Sequence, residues 1–121
     1  MMLTLTLTGR VPSKKNSKIV ICTNNKPRLL PSKKYQEWHE EKMWELKAQD
    51  TRIIENIKRI EIILYAPDKR KADLTNKAES LMDLLVDIGI IKDDNWFVVS
   101  ELILKFGGVD KNNPRAIIKL L

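Results

Sequence analysis

At 121 residues the chain has room for one domain, residues 1–121, built on one hydrophobic core. With 43% hydrophobic and 31% charged residues its composition is globular, and no apolar run approaches the roughly 20 residues of a membrane span. The formal net charge of +6 is unevenly spread: residues 1–60 carry 13 Lys or Arg against 6 Asp or Glu, residues 61–121 carry 9 against 10.

Up to Tyr35 there are eight cations (Arg10, Lys14, Lys15, Lys18, Lys26, Arg28, Lys33 and Lys34) and no acid. Such a segment suits a polyanion, although surface lysines also serve solubility alone. The opening "MMLTLTLTGR" alternates apolar and polar residues instead of showing the charged, apolar and small-residue regions of a secretory signal. The single Cys22 excludes an internal disulfide and a cysteine-rich metal site, so a cytoplasmic location is expected.

Leu3, Leu5 and Leu7 alternate with Thr4, Thr6 and Thr8 as in a half-buried strand that Gly9 ends. After the loop "GRVPSKKNS", Lys18 to Cys22 and Arg28 to Leu30 read as strands joined by the hairpin turn "TNNKP". Ser32 is a candidate N-cap for a helix running to about Gln49, with Tyr35, Trp38, the Lys42 stem and Leu46 along its inner face. Ile57 to Ala66 is apolar on both faces, which predicts a central strand; Pro67 ends it. Ala78, Leu81, Met82, Leu85 and Ile88 recur at helical spacing before Gly89, a C-terminal stop. A turn at "IIKDDN", a strand from Trp96 to Phe106, a turn at "GGVDKNNP" and a strand from Arg115 to Leu121 complete the pattern. The fold class is α/β: a single-domain mixed β-sheet with two main helices.

Asp73 stands between the central strand and the second helix, where α/β folds expose functional side chains, and Asp93 and Asp94 follow that helix. Carboxylates from two loops can hold Mg²⁺ while Lys69, Arg70 and Lys71 hold phosphates. The structural alternative is that Asn76 and Glu79 form a capping box and Asp73 is a turn residue. Lys14, Lys15 and Asn16 lie in a loop that core packing does not explain, which favours phosphate contact. Trp96 and Phe97, beside the acids, suit either strand packing or stacking on an opened base, with packing the simpler reading. His39, in a helix rich in Lys and Glu, is expected at the surface, and Cys22 has no histidine near it to make a thiol nucleophile.

"GRVPSKKNS", then "DLTN" before the helix, then "MDLLVDIGIIKDD" resemble the RusA-like Holliday junction resolvases, often carried by prophages, over nearly the whole chain. The resemblance implies a homodimeric, Mg²⁺-dependent endonuclease that cuts four-way DNA junctions by paired symmetric nicks in recombination and repair. It implies that Asp73 and Asp94 are catalytic metal ligands with Asp93 their neighbour, that Asn76 is the family asparagine, and that Asp83 is a structural acid within the helix. Two positions depart from the pattern. Thr75 stands where the family has a second catalytic aspartate, and Glu79 where it has a catalytic lysine. Lys77, two residues earlier, is then the candidate catalytic cation, and Glu79 a candidate replacement carboxylate.

Length sets a constraint on this site. A helix from Asn76 to Ile88 is about 20 Å long, and the chain from Gly89 to Asp94 returns at most about 17 Å. Asp73 and Asp94 of one subunit therefore meet only over a nearly straight return; otherwise a dimer must join them. The alternatives to an endonuclease are a non-catalytic or weakly active junction-binding protein of the same fold, or a protein-interaction module whose basic face is incidental.

Overall fold

Leu3, Leu5 and Leu7 are buried while Thr4 and Thr8 are exposed, the burial that a period-two pattern imposes on a strand with one wet face. They form β1 (Leu3–Thr8) of a computed structural model that describes residues 3–14, 18–49 and 57–121. The chain continues through β2 (Lys18–Thr23), β3 (Lys26–Pro31), α1 (Lys33–Lys47), β4 (Arg59–Ala66), α2 (Leu74–Asp87), β5 (Glu101–Val109) and β6 (Arg115–Leu120). The expected order of strands and helices is therefore the observed one. Among the described residues no helix is long and apolar enough to cross a membrane.

Four strands form one mixed sheet in the order β1-β6-β4-β5, and β2 and β3 form a separate hairpin. β4 lies inside the sheet, antiparallel to β6 and parallel to β5, as its two apolar faces predict. Because β4 and β5 run parallel, α2 must cross the sheet between them. It packs Leu81, Leu84 and Leu85 onto Ile60, Ile62, Ile118 and Leu120, all buried in the one core, to which α1 adds Leu46. Each such side chain contributes about 1.5–3 kcal/mol relative to exposure. The hairpin turns on Asn24 and Asn25, with φ of 53° and 60°, the paired left-handed conformation that Asn tolerates.

Both helix starts are set by side chains. Ser32 Oγ accepts the Tyr35 amide and caps α1, as expected. α2 begins at Leu74, two residues before Asn76, because Asp73 supplies the N-cap by accepting the Thr75 amide. No Asn76–Glu79 capping box forms. Gly89 ends α2 with a φ of 81°, a conformation open to glycine.

β5 departs from expectation at both ends. Asn95 Oδ1 accepts the Phe97 and Val98 amides, which bends residues 95–98 into a turn and delays the strand to Glu101. Trp96 and Phe97 consequently do not pack in a strand; they are 78% and 82% exposed. At the other end Gly107, Gly108 and Val109 extend β5 instead of turning, and the register slips there so that Tyr65 pairs with Gly108. Gly107 is required at this point, since a Cβ would meet the Tyr65 ring at 2.6 Å.

The two sheet edges are treated differently. Along β1, Gln49 of the α1 end copies a strand: its Oε1 accepts the Thr6 amide at 2.9 Å and its Nε2 donates to the Thr6 carbonyl at 2.6 Å. Glu45 accepts both the amide and the hydroxyl of Thr8. This edge is occupied and cannot pair with another strand. Burial pushes the Glu45 carboxyl up, but the hydrogen bonds from Lys42 and Thr8 outweigh it and hold the group below its usual value of 4.5. A carboxylate held low stabilises the fold above its unfolded pKa and loses that contribution as pH falls through the folded value. Urea unfolding should therefore weaken between about pH 5 and pH 3, and Glu45→Gln should lower stability at neutral pH while flattening that acid limb.

Candidate active site

β4 ends at Ala66, and the chain crosses Pro67 to Ala72 before Asp73 opens α2. The capping geometry fixes Asp73: its Oδ1 accepts the Thr75 amide at 3.1 Å and the Thr75 hydroxyl at 2.8 Å. Its other carboxylate oxygen has no partner among the described residues, and the side chain is exposed. Two cavities, of about 520 and 580 Å³, meet at this residue and share Arg10, Lys71 and Lys77 as walls. The first continues over Leu64, Leu74, Phe106 and Val109, and the second over Ser32, Tyr35, Trp38 and Asn76. The free amides of the α2 N-terminus add partial positive charge beside these cations, an environment suited to phosphate.

The expected basic residues are not equivalent. Arg70 is held by Asp68, with Nε and Nη2 at 3.0 and 2.9 Å from Oδ2. Lys69 and Lys71 are exposed on the cavity wall. Lys77 turns inward and donates to the Val11 carbonyl at 2.6 Å. Burial pushes the Lys77 ammonium below the usual lysine range, assisted by repulsion from Arg10 and Arg70. A lysine so shifted, one helical turn from Asp73 and in the same cleft, is the kind of group found at reactive sites. Glu79 is exposed and lines neither cavity, which places the candidate replacement carboxylate away from Asp73.

Lys14 is engaged within the protein. It forms an ion pair with Asp83, and that hydrogen bond raises its pKa. Its amide donates to Ser80 Oγ, while the buried Ser80 hydroxyl donates to the Pro12 carbonyl at 2.7 Å. Ser80 and Asp83 thus pin the loop before β2 onto α2 and set the wall of the second cavity. Nothing about Ser80 in the sequence marked it, beyond a small polar residue in an apolar helical stripe. Lys15 and Asn16 lie outside the described residues. His39 is not a free surface residue: its Nε2 lies 2.7 Å from Asp87 Oδ2, and its ring stacks on Tyr35, tying α1 to the end of α2.

Asp93 and Asp94 form a second acidic point. Asp93 Oδ1 accepts the Asp94 amide at 2.7 Å, and its Oδ2 accepts Asn95 Nδ2 at 3.1 Å. The Asp94 amide, then the Asp94 carboxyl and Asn95, hold the Asp93 carboxyl below the usual range, whereas sharing a hydrogen bond with Asp93, and then burial, pushes Asp94 up.

The fold keeps this pair away from Asp73. The Ile90 and Ile91 amides both return to the Leu85 carbonyl, so the chain folds onto the end of α2 instead of running straight back. Ser100 and Glu101 then bond to Lys58, just ahead of β4, whereas Asp73 follows the far end of that strand. Of the other acids on this helix and its flanks, the charge felt by Asp94 comes from Asp83, not Asp73. Among the described residues no group of three His, Cys, Asp or Glu side chains is close enough to hold a metal ion.

The family model described as endodeoxyribonuclease RusA matches residues 9–120. A protein of Aquifex aeolicus (strain VF5) named crossover junction endodeoxyribonuclease RusA is 31% identical over 84 residues. That alignment takes in 69% of this chain and 64% of the relative, so the chain matches somewhat less than two thirds of the relative's length. The match extends through both cavities, the Asp73 cap and the Asp93–Asp94 turn, and the chain belongs to the RusA endodeoxyribonuclease family.

Proposed function

We propose that the protein is a Mg²⁺-dependent cytoplasmic endonuclease that resolves four-way DNA junctions, as a homodimer making paired symmetric nicks. The observation that carries this reading is Asp73: an exposed carboxylate with one oxygen unpartnered among the described residues, at a helix N-terminus, in a cleft walled by Arg10, Lys71 and Lys77. Carboxylate oxygens fit Mg²⁺, and Asp73, Asp94 and Asp93 are the residues that would hold it. Since one chain separates them, Asp73 is completed by the partner subunit's Asp94, and the two-fold axis of a dimer generates two such sites, one for each nick. A cation bound there supplies Lewis acidity and a water of lowered pKa.

The remaining work falls to the chain itself. Arg10, Lys69, Lys71 and the α2 amides orient the phosphodiester, and Asn76 extends the contact along the second cavity. Lys77, with its lowered affinity for a proton, is the residue that would protonate the leaving oxygen, on release from the Val11 carbonyl. The second reading, a junction binder with little or no cleavage, is favoured by Thr75, whose hydroxyl occupies Asp73 Oδ1 where the family has another carboxylate. Incubating the protein with a synthetic four-way junction, with and without Mg²⁺, separates the two: an enzyme nicks, a binder only retards the junction.

Asp73→Asn tests charge without disturbing the fold, because Asn caps a helix as well as Asp. Cleavage should fall by at least about 100-fold, since even outer-shell changes cost 10–100-fold, and junction binding should persist. Asp94→Asn should behave alike. Mixing the two variants is more specific. If sites are shared between subunits, half the dimers regain one intact site, and about a quarter of parental nicking returns as single-strand nicks. Sites confined to one chain recover nothing.

Phosphate grip should follow the pairing seen here. Lys71→Ala should lower the slope of log affinity against log salt by about 0.9, whereas Lys14→Ala, whose cation is already taken by Asp83, should change it much less. Thr75→Asp would place a second carboxylate beside Asp73, and the Mg²⁺ concentration for half-maximal cleavage should fall roughly tenfold, as ligand charge count governs affinity. An unchanged Mg²⁺ requirement would put Thr75 outside the cation's reach.

A further inference from the structure

The geometry points to Trp96 and Phe97 as a paired anchor that seats in the apolar cavity beside Asp73 of a second copy of this chain. The two rings are adjacent, edge to face at 6.2 Å, and almost wholly exposed. Asn95 clamps the backbone of the turn beneath them, which reduces the chain freedom lost on docking. Single exposed apolar residues need no explanation; two neighbouring aromatics on a fixed turn mark a contact surface.

A receiving surface is present on the same chain. The cavity of about 520 Å³ is walled by Leu64, Leu74, Phe106 and Val109, of which Phe106 and Val109 are themselves 58% and 47% exposed. Its own Trp96 does not fill it. The Trp96 turn lies ahead of the paired starts of β4 and β5, and the cavity lies at the end of β4, eight residues or about 26 Å away. Two copies laid side by side and antiparallel place each turn over the other's cavity, and a closed two-fold contact results.

Charge suits this occupant as well as shape does. Asp93 and Asp94 sit immediately before the aromatic pair, while Arg10, Lys69 and Lys71 rim the cavity. The cationic rim attracts the acidic turn and the apolar walls take the rings, which leaves the second cavity, with Arg10, Lys71 and Asn76, to the phosphodiester. The area is also adequate. Four aromatic side chains at about 150–250 Å² each, with the cavity walls they cover, reach the roughly 1,200–2,000 Å² of a stable interface. The inference rests on the dimeric part of the reading above and deepens it, since Trp96 and Phe97 become positioning residues that carry Asp94 to the partner's Asp73.

The test is sedimentation equilibrium of the full chain without DNA or metal. The parent should be a dimer at micromolar concentration, and Trp96→Ala/Phe97→Ala should raise the dissociation constant roughly 100-fold or more, as loss of paired anchors does. Phe106→Ala, on the receiving wall, should weaken association too, and combining it with the double variant should add little. Circular dichroism matching the parent shows that the exposed changes left the fold intact. A monomeric parent, an unchanged dissociation constant in the double variant, or full additivity with Phe106→Ala overturns the inference. So does a tryptophan fluorescence change that the double variant loses and that appears only on adding junction DNA, which would assign the pair to base stacking. Cleavage is scored separately: a parent that dimerises through Trp96 yet never cuts a junction refutes the endonuclease reading alone, and a junction-cutting parent indifferent to the double variant refutes the anchor alone.

Discussion

The parallel pairing of β4 with β5 is the constraint from which the site follows. A parallel neighbour cannot be reached by a tight turn, so the chain must travel the length of the sheet and return, and α2 is that return. Asp73 stands where the return begins. Asp93 and Asp94 stand where it ends, beside the start of β5. The same connection that buries Leu81, Leu84 and Leu85 against the sheet therefore holds the acidic positions beyond opposite ends of α2. Burial of those leucines is worth several kcal/mol, far more than any gain from drawing two carboxylates together in one chain. The core wins, and within one chain the carboxylates stay apart.

Most of the fold was legible because its signals are local and repetitive. Leu3, Leu5 and Leu7 announce β1, the two-sided apolarity of Ile60 to Tyr65 announces an interior strand, and Gly89 announces the end of α2. What escaped depends on side chains that compete with the backbone. The aromatic, β-branched run from Trp96 to Val99 has strand composition, but the Asn95 carboxamide captures two amides first and makes a turn. Gly107 and Gly108 carry turn composition, yet the Tyr65 ring needs the space over Gly107, and the strand runs on through it.

At the site the same division holds. The acid-free start and the Asp73 and Asp93–Asp94 positions could be read from residue type and order. Pairing could not. Lys14 looked available because its partner, Asp83, is 69 positions away, and Arg70 looked like Lys69 and Lys71 although Asp68, two residues back, claims it. Ion pairs depend on where the fold brings side chains, and a charge count along the chain has no access to that.

Asp73 shows how one side chain can serve fold and chemistry at once. As an N-cap it needs only one oxygen, and Thr75 takes that oxygen twice, through its amide and its hydroxyl. The remaining oxygen faces the cleft with its direction set by the cap, so the helix that requires the aspartate also aims it. The Thr75 hydroxyl tightens this aim, where an aspartate would add negative charge close to the first. Repulsion between two carboxylates at hydrogen-bonding range would be tolerable only with a cation between them. Threonine thus favours an N-cap that is stable on its own, and it does so by leaving Asp73 as the only carboxylate at the start of α2.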